Sequence, residues 1–158
     1  MGREIERKFL VNSQAFKEHA SVQEIRQGYL TTDAGKAIRI REINDKAWLN
    51  IKAELEGFKR YEYEYAIPLE DAREMLDKLS LRPLIEKKRY KVNYEGKRWE
   101  VDEFAGENAG LTVAEIELEH EEEPFSKPPW LGKEVTGDTR YYNAYLANYP
   151  YKTWQNGQ

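Results

Sequence analysis

The chain has 158 residues, with 25 Lys plus Arg against 29 Asp plus Glu, a formal net charge of −4, and no cysteine. The mild acidity argues against a nucleic-acid groove, which normally shows a basic excess, and the missing cysteine excludes disulfides, thiolate nucleophiles and cysteine zinc sites. No apolar run approaches the roughly 20 residues of a membrane span and no signal-peptide core opens the chain, so the expectation is one cytoplasmic domain over 1–158 with neither membrane nor nucleic-acid partner.

Alternating charged and apolar residues predict strands over 4–11, 24–31, 36–43, 47–53, 60–67, 85–94, 97–104 and 111–119. Turn residues separate many of them: Asp33-Ala34-Gly35, Asn44-Asp45-Lys46, Glu56-Gly57, Glu95-Gly96 and Ala105-Gly106. A short helix is expected at 13–20, capped by Asn12 or Ser13. The clearest amphipathic helix covers 69–79, where Ala72, Met75, Leu76 and Leu79 fall at helical spacing behind Pro68. A last helix is expected over 139–148, with Thr136 or Asp138 at its start and Pro150 preventing continuation. The proline-rich segment 123–132 reads as loop.

Residues two apart on a strand share a side. One parity then collects Glu4, Glu6 and Lys8; Gln27 and Tyr29; Arg39 and Arg41; Asn50 and Lys52; Glu62 and Glu64; Lys87, Arg89 and Lys91; Arg98, Glu100 and Asp102; and Glu115, Glu117 and Glu119. The opposite parity is mostly apolar, with Tyr61, Tyr63, Tyr65, Trp99, Val101, Ile116 and Leu118. On any one strand a solvated charged face is the ordinary reading. Taken together, like charges sort largely by strand, an arrangement that is destabilising unless something offsets it. This favours an α+β fold: an eight-stranded antiparallel β-barrel, closed around a charged lumen, with about three helices outside. Its carboxylates would hold a metal ion and its bases a polyanion. An open sheet with solvated charges is the alternative.

Glu4-Ile5-Glu6-Arg7-Lys8-Phe9-Leu10 resembles the ExExK signature of the triphosphate tunnel metalloenzymes, the CYTH superfamily. The likeness continues in order through Gln27-Gly28-Tyr29-Leu30, Arg39-Ile40-Arg41, Ile51-Lys52, Glu62-Tyr63-Glu64, Glu86-Lys87-Lys88-Arg89-Tyr90, Glu100-Val101-Asp102, Glu115-Ile116-Glu117 and the stretch from Glu134 to Tyr141. ExExK alone is a weak pattern; in register with these blocks it is strong. The resemblance implies a tunnel that binds triphosphates with a divalent metal.

It further implies roles. Glu4, Glu6, Glu115, Glu117 and Glu119 are the candidate ligands of Mg²⁺ or Mn²⁺, hard ions that prefer oxygen. Glu62, Glu64 and Asp102 are ligands, positioners of water, or partners of lumen bases. Lys8, Arg39, Arg41, Lys52, Lys87 and Arg89 form the triphosphate clamp, Arg by bidentate forks and Lys as a point charge. Arg140 either reaches one mouth of the tunnel or pairs with a carboxylate of its own helix. Tyr29 either activates water or stabilises charge with Lys8 or Lys87, or its hydroxyl only holds a carboxylate. Lys88 and Arg7 have the wrong parity and serve as controls.

The activity implied is metal-dependent hydrolysis of the terminal phosphate of inorganic tripolyphosphate. Alternatives are a class IV adenylate cyclase or thiamine triphosphatase and, from another class, a non-catalytic binder of polyphosphate. The tyrosine-bearing strand faces leave a homodimer open.

Overall fold

In this computed structural model residues 5–32, 36–55 and 59–154 are described. Nine strands form one antiparallel sheet: β1 (Ile5–Val11), β2 (Ser21–Thr31), β3 (Lys36–Ile43), β4 (Lys46–Leu55), β5 (Lys59–Ile67), β6 (Ile85–Tyr94), β7 (Lys97–Phe104), β8 (Thr112–Leu118) and β9 (Leu131–Glu134). Their order is β5-β4-β3-β2-β6-β7-β8-β1-β9.

The expected closed eight-stranded barrel is not formed. Closure would require β5 to pair with β1, but the free edge of β1 is taken by β9, a strand within and beyond the segment read as loop. The cause is local. Arg7 grips Glu134 through two hydrogen bonds of 2.9 and 2.7 Å, the Val135 N–H donates to the Lys8 carbonyl at 2.8 Å, and the Lys8 N–H donates to Thr136 Oγ1 at 2.9 Å. The sheet therefore ends at two edges, β5 and β9.

There are two α-helices among the described residues rather than three helices. Leu69–Lys78 is α1: Glu70 and Asp71 in its first turn and Lys78 in its last suit the helix dipole, and the buried pair Ala72 and Leu76 faces β3 and β4. Residues 13–20 hold only a 3-10 turn at Ala15–Lys17, with Phe16 as its buried anchor and no side-chain cap. One large apolar residue cannot hold a longer helix against its nucleation cost, and His19 ends the segment at φ 60°. The last predicted helix is split. Asp138 caps a 3-10 turn at Thr139–Tyr141, Tyr142 is extended, and α2 runs Asn143–Asn148.

The apolar parity packs as expected except on the edge strand β5, where Tyr61, Tyr63 and Tyr65 stay 42–56 % exposed. Phe9, Trp99, Val101, Ile116 and Leu118 join Phe16 and Trp130 in one core, where Trp99 meets Phe9, Phe125 and Trp130 edge to face at 5.7–5.8 Å. A second cluster on the same face joins Ile40 and Ala47 to Ala72 and Leu76 of α1. Buried Glu42 holds Arg26 and Arg73 at 3.4 and 3.1 Å and so ties the helix to β3. Gly28 lies where the chain after α1 crosses β2. A Cβ there would sit 2.6 Å from Ser80 Oγ and 2.8 Å from Leu84 Cδ2, so only glycine fits the approach. No helix among the described residues is long and apolar enough to cross a membrane.

Candidate functional site

The charged parity changes character along six of the strands. Toward one end Lys8 gives way to Leu10, Gln27 to Tyr29, Arg39 to Ala37, Lys87 to Ile85, Asp102 to Phe104 and Glu115 to Val113. Those apolar ends gather with Val135, Tyr141, Leu146 and Ala147, so the turn before α2 and α2 itself cover that end of the charged face. The bases beside this cover are consequently buried or half-buried.

Lys87 is 3 % exposed and donates to Asp102 Oδ2 at 2.8 Å and to Asn143 Oδ1 at 3.4 Å. Arg89 clamps the same carboxylate, Nε to Oδ1 at 2.8 Å and Nη2 to Oδ2 at 3.0 Å, and approaches Glu100 at 3.6 Å. Burial pushes the Asp102 carboxyl up, but Lys87 and Arg89 together hold it well below the usual carboxylate range. On β3, Arg41 donates to Gln27 Oε1 at 2.9 Å. Burial, reinforced by Arg39 and Arg89, pushes its guanidinium down to about 10. Four cations thus crowd one strip, Arg39 and Arg41 from β3 and Lys87 and Arg89 from β6, with Asp102 the acid bound directly to two of them.

Carboxylates hold the other side. Glu6 pairs in register with Glu117, and Lys8 with Glu115, which it meets at 2.8 Å. Burial and the nearby Glu115 raise the Glu6 carboxyl above its ordinary value, against the pull of Lys8. Lys8 also lies 4.7 Å above the Tyr142 ring. Among the described residues no three acidic or histidine side chains stand close enough together to hold a metal ion. The donor chemistry does suit a hard divalent cation, because Glu6 and Glu115 crowd each other.

The remaining predicted residues are more scattered. Tyr29 is buried and pairs in register with Arg39. Lys52 is exposed and lies opposite Glu62. Glu62 and Glu64 sit on the edge strand, where Glu64 accepts from Asn50 Nδ2 at 2.7 Å. Glu119 lies just past the end of β8, exposed. Arg140 does not reach the strip of bases: Asp138 binds it through two nitrogens at 2.7–3.2 Å, and its guanidinium lies 5.5 Å from the Tyr141 and Trp154 rings. Glu4 lies outside the described residues. Of the controls, Arg7 faces Glu134 and Lys88 is exposed on the other side of β6.

Three contacts were not singled out from the sequence: Gln27 with Arg41, Asn143 with Lys87, and Tyr142 with Lys8. Parity had placed Gln27 on this face. The other two come from the α2 region, whose packing no strand pattern announces.

Related chains carry a known name. A curated inorganic triphosphatase of Acetivibrio thermocellus is 51% identical over 155 residues, covering 98% of this chain and 99% of that protein. An inorganic triphosphatase of Nitrosomonas europaea is 39% identical over 148 residues, covering 91% and 96%. The crystal structure of the inorganic triphosphatase NE1496 superposes with a TM-score of 0.78 at 35% identity, over 93% of this chain and 95% of that one. Residues 2–142 match the CYTH domain, and the chain belongs to that family.

Proposed function

We propose that the chain hydrolyses the terminal phosphate of inorganic tripolyphosphate on its charged face. The observation that carries the reading is the strip of Arg39, Arg41, Lys87 and Arg89, buried or half-buried, facing the carboxylates Glu6, Glu115 and Glu117 on the same sheet. The full-length likeness to two inorganic triphosphatases supports it.

Catalysis in such a site is mostly positioning and charge neutralisation. In this reading Arg39, Arg41, Lys87, Arg89, Lys8 and Lys52 bind the phosphate oxygens. Asp102 fixes the directions of Lys87 and Arg89 and keeps them from repelling each other. Water attacks the terminal phosphorus, the bond to the bridging oxygen breaks, and phosphate and diphosphate leave. Tyr29, beside Arg39, with Lys8 or Lys87 stabilises charge on the attacking water and the phosphoryl oxygens.

Glu6, Glu115 and Glu117, with Glu4, would hold Mg²⁺ or Mn²⁺, and Glu62, Glu64 and Glu119 are outlying carboxylates of the same set. When bound, the ion supplies charge neutralisation on the phosphate oxygens. Burial and mutual repulsion at Glu6 fit a site completed by a cation. A single cytoplasmic domain, and a homodimer through the tyrosines of β5, belong to the same proposal.

Phosphate release from tripolyphosphate, ATP and thiamine triphosphate, each with Mg²⁺, Mn²⁺ or excess chelator, tests it. Metal-dependent turnover concentrated on tripolyphosphate is expected. Preference for an organic triphosphate would replace the substrate, pyrophosphate with a cyclic nucleotide from ATP would indicate a cyclase, and no turnover by folded protein would leave a binding module.

A further inference from the structure

Gln27 is fully buried, at 0 % exposure, yet only half of its amide is used. Its Oε1 accepts from Arg41 Nε at 2.9 Å. Because arginine offers only donors, this contact fixes which end of the amide faces it. The Nε2 donor then points elsewhere and has no hydrogen-bond partner among the described residues. A second buried donor is in the same condition: Arg39 Nε. The two are close by register. Gln27 pairs with Arg41, and Tyr29 with Arg39, so Gln27 and Arg39 are diagonal neighbours on one face of β2 and β3, within reach of long side chains.

Buried donors without acceptors are costly, more so for a charged group than for a neutral one, and native proteins rarely leave two side by side without purpose. Both donors lie on the charged face, and a cavity of about 200 Å³ bordered by Tyr29, Ala37, Arg39, Asn50 and Lys52 opens at Arg39, with Gln27 walled in behind it as the diagonal neighbour. Donors of this kind call for an anionic oxygen acceptor. Asn50 also keeps one buried atom unpartnered, but Oδ1 is an acceptor and takes no part in an anion seat.

We propose that Gln27 is a substrate-binding residue: its Nε2 and Arg39 Nε together receive one oxygen of the phosphate chain, at a seat on β2 and β3 away from the carboxylates. This rests on the triphosphatase reading and deepens it. A neutral donor has a defined use among so many cations. It fixes where one oxygen sits without adding attraction for every other oxygen, so it sets the register of the chain along the strip.

The alternative is that Gln27 acts only by holding Arg41, and a double-mutant cycle separates the two. Tripolyphosphate binding is measured by calorimetry in excess chelator for the wild type, Gln27→Met, Arg41→Ala and the double variant, with KM and kcat read alongside and thermal unfolding confirming the fold. The contact predicts that Gln27→Met weakens binding by about tenfold or more in both backgrounds, the range for a lost hydrogen bond to a charged group, and that KM rises more than kcat falls. No further loss on the Arg41→Ala background overturns the proposal while leaving the functional reading intact. A wild type that neither binds nor hydrolyses tripolyphosphate overturns both. If Gln27→Met fails to fold, Gln27→Glu keeps the acceptor for Arg41 and removes the free donor; binding equal to wild type, or a loss that added salt abolishes by screening the new charge, then overturns the proposal, and a loss that persists in salt supports it.

Discussion

Asp102 Oδ2 receives Lys87 Nζ at 2.8 Å, across the β6–β7 ladder and almost out of reach of water. The same carboxylate holds Arg89 by two bonds, so one acid neutralises two cations at the buried end of the basic strip. Replacing it by a neutral isostere leaves Lys87 without its ion-pair partner and Arg89 with only Glu100 at 3.6 Å. Asp102→Asn is predicted to cost about 3–5 kcal/mol of stability, the range for breaking a buried pair, and to reduce tripolyphosphate turnover. Urea unfolding at neutral pH checks the first part.

The pH dependence of the same pair has a definite sign. The carboxyl of Asp102 is held below its unfolded value, so its contribution is fully present above about pH 4, the ordinary Asp range, and is lost as pH falls further. Wild-type stability should drop on acidification below that point. The drop should be smaller in Asp102→Asn. Equal acid sensitivity of the two proteins would show that the pair does not carry the effect.

Glu6 has the opposite sign. Its carboxyl is raised by burial and by Glu115, so its folded form is favoured when protonated and loses stability as pH rises through that raised value. Without metal at neutral pH, Glu6→Gln is therefore predicted to melt no lower than wild type, although turnover is abolished. Added Mg²⁺ or Mn²⁺ should raise the melting temperature of wild type more than that of the variant. An equal shift in both would remove Glu6 from the metal set.

Arg39→Ala should abolish turnover without unfolding the protein, whereas Lys88→Ala, exposed on the other side of the same sheet, should keep turnover and change stability by no more than about 0.5 kcal/mol. Phosphate release and melting curves for the two variants decide this. Normal turnover by Arg39→Ala would contradict the assignment of the charged face as the substrate site.

Gly28→Ala puts a methyl group against Ser80 and Leu84. The crossing chain is held there by the Leu81 N–H on the Tyr29 carbonyl at 2.8 Å, so it cannot move away freely. A loss of about 1–3 kcal/mol, typical of overpacking, is expected in urea unfolding.

Strand parity was the most legible level. It separated Trp99, Val101, Ile116 and Leu118 from Glu100, Asp102, Glu115 and Glu117, and the two sets do lie on opposite faces, because a period of two admits only one choice once one side is buried. The CYTH resemblance carried by the ExExK block and its followers is the family that the match over 2–142 shows. Closure was not legible, because it turned on which strand takes the outer edge of β1. Four residues, Leu131–Glu134, do so after a proline-rich stretch, anchored by Arg7, a residue whose parity had set it aside as a control. Helix content was overestimated where one aromatic anchor, Phe16, had to hold eight residues. In the site itself, the roles of Asn143 and Tyr142 depend on how α2 folds back over the sheet, and a local pattern holds no record of that return.

The passage from polar to apolar side chains along six of the strands gives the face a direction. At one end Ile85, Phe104 and Val113 lie beneath Leu146 and Ala147 and offer a chain of phosphates nothing to hold. On the proposed reading, a linear anion laid on the strip would meet a back wall and stop against it. Such a groove reads length from a fixed zero, as a ruler does. It would accept the free terminus of a longer chain and trim it from that end, while a ring of phosphates, which has no terminus, would find no way to lie in it.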